Sequence, residues 1–297
     1  MTVRANQTQN HSAIRDRLRS IPAVYFLYGI LMRCVFETRA FIATAVWAAS
    51  SKNQKHSPLP PPRLLHRVCG SFSAEDYLDS GRKDFKKLSN IFKCLEIRKN
   101  QPAKILDFGC GSSRTLRHFF ELDSAWEYFR TDLDQEAVEW NQTNFHGQAN
   151  WCANQVTPPT QFRDNNFDVI YAISIFTHLD EQLQRVWLQE FKRILKDDGT
   201  LIITVHGKAV WKDKKDWRQK VQSNGMYFMH THKGIRNLTR TPSHYHTALH
   251  CRDYILATWS SIFPNIQYVD AESHNEHDYV ILSRRGFSVV KNISSFI

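Results

Sequence analysis

The 297-residue chain lacks an apolar run long enough to cross a bilayer, lacks internal repeats, and lacks any cysteine spacing that would build a metal knuckle or a disulfide framework. A spanning helix needs about 20 apolar residues, and the best run, Ile21 to Met32, stops at Arg33. The cysteines fall at positions 34, 69, 94, 110, 152 and 251, a scatter that fits reduced thiols and a cytoplasmic setting. Negative charge is also scarce, with 29 Asp and Glu against 39 Lys and Arg and a net charge of +10. That excess permits attraction to nucleic acid, anionic lipid or an acidic glycan and selects none of them. Its densest cluster, Lys208, Lys212, Lys214, Lys215, Arg218 and Lys220, reads as a solvated face.

Two nucleotide fingerprints are absent as well. Ile105-Leu106-Asp107-Phe108-Gly109-Cys110-Gly111 ends an apolar strand in an acid and then removes side chains at alternate positions. Glycines there let backbone approach a ligand where a Cβ would collide. A dinucleotide site needs a third glycine, where this chain has the bulky Arg114, so a dehydrogenase is disfavoured. No Gly-Lys-Ser or Gly-Lys-Thr follows, which disfavours a nucleoside triphosphate. What is present is a strand, a glycine turn, a helix expected from Ser113 as cap with Leu116, Phe119 and Phe120 as its apolar face, and a second strand, Trp126 to Thr131, ending in Asp132.

This pattern resembles the first motif and follow-on acid of class I S-adenosylmethionine-dependent methyltransferases. The resemblance implies an α/β, Rossmann-like, seven-stranded sheet and S-adenosylmethionine as cofactor. It implies that Gly109 and Gly111 pass under the methionine part, that Asp107 orders the loop and the ammonium end, that Asp132 holds the ribose, and that Phe108, Cys110 and Leu133 bind the cofactor beside them. Asn154, where many relatives carry an acid, would accept from the adenine amine. Ile173 and Ser174 complete the implied cofactor set. The likeness runs from about Pro60 to Arg285 through Pro61-Pro62-x-x-Leu65-x-x-x-Val68-x-Gly70, Tyr77-Leu78-x-x-Gly81-Arg82, Ser174-Ile175-Phe176-Thr177-His178-Leu179, Val205-His206-Gly207 and Asp278-Tyr279-Val280-Ile281-Leu282. It is similar to a bacterial group associated with polysaccharide or glycan biosynthesis.

Later strands are expected at Asn150 to Ala153, Phe167 to Ile173, Thr200 to Val205, Ile266 to Val269 and Tyr279 to Arg284. Between the fourth and fifth, Asp180 caps the clearest helix, and an Asp197-Asp198-Gly199 turn follows it. Residues 1–56 read as a helical arm and linker, and 57–297 as the methyltransferase domain with 207–250 as an insertion or lid. The arm, over residues 12–50, suits either a subunit contact or a membrane surface, which would make the protein cytoplasmic and peripheral to the membrane.

A neutral hydroxyl acceptor gains from a general base, and histidine suits neutral pH. His206 and His178 follow the fifth and fourth strands at the ligand-binding edge, and His250 follows the insertion. His230-x-His232 and a helical pair, His246 and His250, after His244 have ligand-type side chains, but no carboxylate or cysteine set completes them and no metal is expected. Ile173-Ser174-Ile175-Phe176 stands where nucleobase methyltransferases carry a proline-aromatic run, so a saccharide or small-metabolite hydroxyl is preferred as acceptor. The rivals are an RNA methyltransferase and a catalytically silent binding module.

Overall fold

The computed structural model describes residues 22–50, 58–97, 101–119, 126–230, 246–271, 273 and 277–287. Apolar runs bounded by polar turns form β1 (Ala103–Phe108), β2 (Trp126–Asp132), β3 (Asn150–Ala153) and β4 (Phe167–Ala172) where the pattern places them. They are joined by β5 (Leu195–Val205), β8 (Asn265–Val269) and β9 (Asp278–Ser283) in a seven-stranded sheet of order β3-β2-β1-β4-β5-β9-β8. Strands β1 to β5 pair in parallel, and β9 runs antiparallel to both β5 and β8. Alternation along the strands feeds two cores. Leu106, Phe108 and Ile170 meet Trp187 and Phe191 on one face, while Ile105, Val169 and Tyr171 meet Leu88 and Phe92 on the other. Each such side chain contributes about 1.5–3 kcal/mol on burial.

Helix α3 (Ala74–Cys94) backs the second face; α4 (Gln135–Asn144), α5 (Glu181–Ile194) and α8 (Arg252–Trp259) complete the layers. Asp180 caps α5 as expected, its carboxylate accepting from the Leu183 N–H. Helix α1 (Pro22–Ser50) is continuous through Arg33, Glu37 and Arg39, and α2 (Pro62–Cys69) begins with proline at its first turn.

Two local expectations are corrected. Among the described residues no α-helix follows the glycine turn: Ser113 is left-handed at φ 63°, its hydroxyl donates to Asn141, and a 3-10 turn forms over Leu116–His118. The physical reason is α3, whose Gly81 lies against the Arg114 carbonyl and takes the space behind the turn. Phe120 lies outside the described residues. The Asp197-Asp198-Gly199 turn is a bulge within β5, because buried Leu195 already pairs with Phe167 before Thr200 pairs with Val169.

The segment read as an insertion has structure of its own. It folds as α6 (Lys208–Trp211), α7 (Lys215–Asn224) and an antiparallel hairpin of β6 (Met226–Met229) and β7 (Thr247–His250), around Trp211, Val221 and Leu249. Residues 231–245, with His232 and His244, lie outside the described residues.

Candidate active site

Strand order reverses between β1 and β4, and at that switch point the carboxyl ends of the strands open a crevice. The cavity measures about 520 Å³ and reaches from Asp107 through the glycine turn to Asp132, Asn154, Ser174 and His178. A volume of that order suits a nucleoside-sized ligand.

The turn is over-determined. Gly109, at φ 79°, occupies a backbone region that side chains disfavour, and a Cβ on it would land on the Ile175 side chain. The N–H groups of Gly109 and Cys110 both donate to the Thr131 carbonyl, at 2.8 and 3.0 Å. From behind, the buried Tyr77 hydroxyl donates to the Ser112 carbonyl at 2.5 Å, and the Asn141 amide donates to the Gly111 carbonyl at 2.7 Å. In front, Val68 of α2 meets Gly111, and Arg67 reaches Asp134 and Glu136 at 2.8 and 2.7 Å.

Asp132 sits at the base of this crevice. One oxygen accepts from the Gly111 N–H at 2.7 Å and the other from the Asp134 N–H at 2.8 Å. Burial pushes its carboxyl up to about 6, against the pull of those two N–H groups. The carboxylate therefore holds the turn closed while still facing the cavity. Asp107 lines the cavity and is also held from behind. It is buried and ion-paired with buried Arg130 at 2.7 Å, with Tyr171 beside the pair. Burial raises its pKa and Arg130 opposes the rise. Asp107 thus anchors the strand edge beneath the turn, with its charge already shared.

Phe108, Cys110, Leu133 and Ile173 line the cavity alongside Gly109 and Gly111. Burial pushes the Cys110 thiol well up, so it is a packed neutral group and not a nucleophile. Ser174, left-handed at φ 61°, donates its N–H to the Thr204 hydroxyl at 2.7 Å. The Asn154 oxygen accepts from the Thr131 hydroxyl at 2.5 Å, which leaves one of its two lone pairs for an adenine amine.

The three histidines separate. His178 lines the cavity, and its Nδ1 lies 2.6 Å from the His246 carbonyl oxygen. A carbonyl only accepts, so Nδ1 carries the proton and Nε2 of the neutral ring carries the lone pair. His206 stands next to it, ring centroids 6.5 Å apart, and His277 lies 5.1 Å beyond His206. Burial lowers both His206 and His277 to about 4, His206 further by His277, and His277 further by His178, Arg114 and Lys87. Neither is among the residues lining the donor cavity.

His250 is a correction. It is fully buried, bonded through Nε2 to Gln184 at 2.9 Å, and held neutral by burial at about 3. It sits on β7, not on a helix, so the pair with His246 follows strand geometry. Among the described residues no group of three or more His, Cys, Asp or Glu could hold a metal ion.

His277 escaped the sequence reading, yet topology would have found it. Because β9 is antiparallel, its first residues lie at the edge where the parallel strands end, and Asp278 pairs with Val205. The insertion's hairpin closes this edge: Ala248 N–H donates to the Thr177 carbonyl at 2.7 Å and His250 N–H to the His206 carbonyl at 2.9 Å.

The sheet order, the switch-point crevice and the glycine turn with its following acid define the class I methyltransferase fold. Residues 106–203 match the family model of a methyltransferase domain, the enzyme domain whose methyl donor is S-adenosylmethionine. An uncharacterised protein of Methanocaldococcus jannaschii is 28% identical over 124 residues, 42% of this chain and 49% of that protein, so the chain spans about half the length of that relative. Among solved structures, a SAM-dependent methyltransferase of Methanosarcina mazei aligns at 16% identity and TM-score 0.47, over 62% of this chain and 92% of that one. PKMT2 of Rickettsia typhi, in complex with AdoHcy, aligns at 18% identity and TM-score 0.37, over 47% and 28%.

Proposed function

We propose that the whole chain transfers a methyl group from S-adenosylmethionine to a hydroxyl of a saccharide or small metabolite, with His178 as general base. The observation that carries this reading is the locked His178 tautomer at the cavity edge. Bound in the crevice, the donor supplies a methyl on a sulfonium centre whose leaving group is a neutral thioether. The chain's part is to place the acceptor oxygen and remove its proton. His178 Nε2 takes the proton from the hydroxyl as it attacks, and the His246 carbonyl steadies the positive ring that results. His206 and His277, uncharged near pH 7, border the acceptor side without competing as bases, since a base near 4 is weak.

The test is labelled methyl transfer onto panels of glycans, small hydroxylated metabolites and RNA. His178→Ala is expected to lower kcat by about 10²-fold or more, with donor affinity by calorimetry reduced far less than kcat. His178→Gln, which keeps a polar group without the base, is expected to fall equally. Transfer onto RNA alone, or full activity of both variants, overturns the reading.

A further inference from the structure

The first half of α1 exposes apolar side chains over most of its circumference. Phe26 and Leu27 are 68% and 64% exposed, and Tyr28, Ile30, Leu31 and Met32 are exposed as well. At about 100° per residue these positions spread over about 240° of the helix circumference, and the remainder holds Gly29 rather than a polar side chain. A protein partner gripping one stripe, as in a coiled coil, would leave the opposite face polar, and this half has no polar face. An environment that surrounds the helix matches the pattern better.

The second half differs. Ala40 is buried, Phe36 stacks on His66 and Phe72 with centroids 5.0 and 5.3 Å away, Glu37 pairs with Arg63 at 2.5 Å, and the Trp47 indole donates to the Leu59 carbonyl. Exposed Val35, Ile42 and Val46 recur there at helical spacing on one stripe that faces away from those contacts. The helix is thus anchored at one end to α2 and without a polar face at the other.

Charge identifies the surroundings. The first 55 residues hold eight Lys and Arg against two Asp and Glu, so six of the ten net positive charges of the chain lie in the arm. Arg15, Arg17 and Arg19 precede the apolar half and Arg33 and Arg39 follow it. Residues 22–32 measure about 16 Å as helix, roughly half of a bilayer's hydrocarbon core. No described helix is long and apolar enough to cross a membrane.

We infer that α1 is an interfacial membrane anchor: residues 22–32 lie lengthwise beneath the headgroups of one leaflet of an anionic membrane, with Arg15, Arg17 and Arg19 at one end and Arg33 at the other reaching the headgroup level. Long arginine side chains reach back to phosphate while their stems stay apolar. Because α2 supplies both the anchor's partners, Arg63 and His66, and the cavity wall, Arg67 and Val68, the anchor holds the donor crevice beside the lipid surface.

The experiment is co-sedimentation of the full chain with phosphatidylcholine vesicles and with vesicles that also contain phosphatidylglycerol. Binding to the mixed vesicles is expected, weaker by about tenfold on pure phosphatidylcholine and weakened by salt. Leu27→Glu with Leu31→Glu is expected to abolish it while leaving donor affinity unchanged. In a second measurement, the indole introduced by Phe26→Trp is expected to shift its emission to the blue on vesicles and to be quenched by lipids brominated along the acyl chain. Absence of vesicle binding, an introduced indole that the brominated lipids leave unquenched, or a dimer that the glutamate pair dissociates in a chain that ignores vesicles overturns the anchor.

Discussion

At the residue scale, Asp132 couples the turn to the ligand. Its carboxyl is raised to about 6, and the two hydroxyls of a ribose donate more strongly to its ionised form, which accepts at both oxygens and carries the charge. Donor binding is therefore favoured above that value and lost as pH falls through it, by up to about tenfold per unit. Calorimetric titration between pH 7 and pH 5 checks this, and an affinity that stays level across the window contradicts the assignment. The type and place of Asp132 were legible because an acid ends the second apolar run. Its bonds to Gly111 and Asp134 were not, since they depend on how the turn folds back. Asp107 shows the same division. Its place at the end of β1 could be read, whereas its pairing with Arg130 required knowing that β1 and β2 are neighbours in register.

At the scale of elements, the donor turn depends on a helix that precedes it in sequence. Tyr77 and Gly81 lie one turn apart on α3, where one bonds the Ser112 carbonyl and the other abuts the Arg114 carbonyl. Both belong to a motif whose role could not be seen without the contact. Alanine at Gly81 would gain roughly 1 kcal/mol in helix propensity, but its Cβ would meet backbone that cannot step aside. Overpacking of that kind costs about 1–3 kcal/mol, so Gly81→Ala is expected to lower the thermal midpoint and weaken donor binding together. A variant that is as stable as the parent and binds donor normally would show that α3 and the turn are uncoupled. The helix expected after the turn fails for the same reason: Leu116 and Phe119 are buried as their spacing demands, but α3 shortens the segment to a single 3-10 turn.

At the scale of the whole molecule, neutral imidazoles set the response to acid. His206, His277 and His250 are lowered to about 4, 4 and 3, in each case chiefly by burial. The unfolded chain binds protons on these rings below about 6.5, while the folded one resists until its lower values. Their contribution is complete above 6.5 and is lost as pH falls toward 4, at up to about 1.4 kcal/mol per pH unit for each ring. Asp132 acts in the opposite sense, its raised value favouring the fold as pH drops through 6, and the raised carboxyls of Asp107 and Asp278 act with it, but the three rings, joined by the lowered His66, outweigh them between pH 7 and pH 5. Thermal midpoints are expected to fall steadily from pH 7 to pH 5. A level or rising midpoint would mean that the rings are solvated.

The sequence by itself determined the parallel core, the place of the glycine turn, the acid after the second strand and the cap of α5. Each of these rests on local chemistry: a period of two, a missing Cβ, an acid at a strand end, a carboxylate at a helix start. Only the tertiary structure separated three histidines that the chain presents as equals. It set His178 on the cavity, brought His277 beside His206 by reversing β9, and sank His250 against Gln184. The physical reason is that a side chain's place at a site depends on strand pairing and on what packs behind it, and both are contacts between residues far apart in the chain.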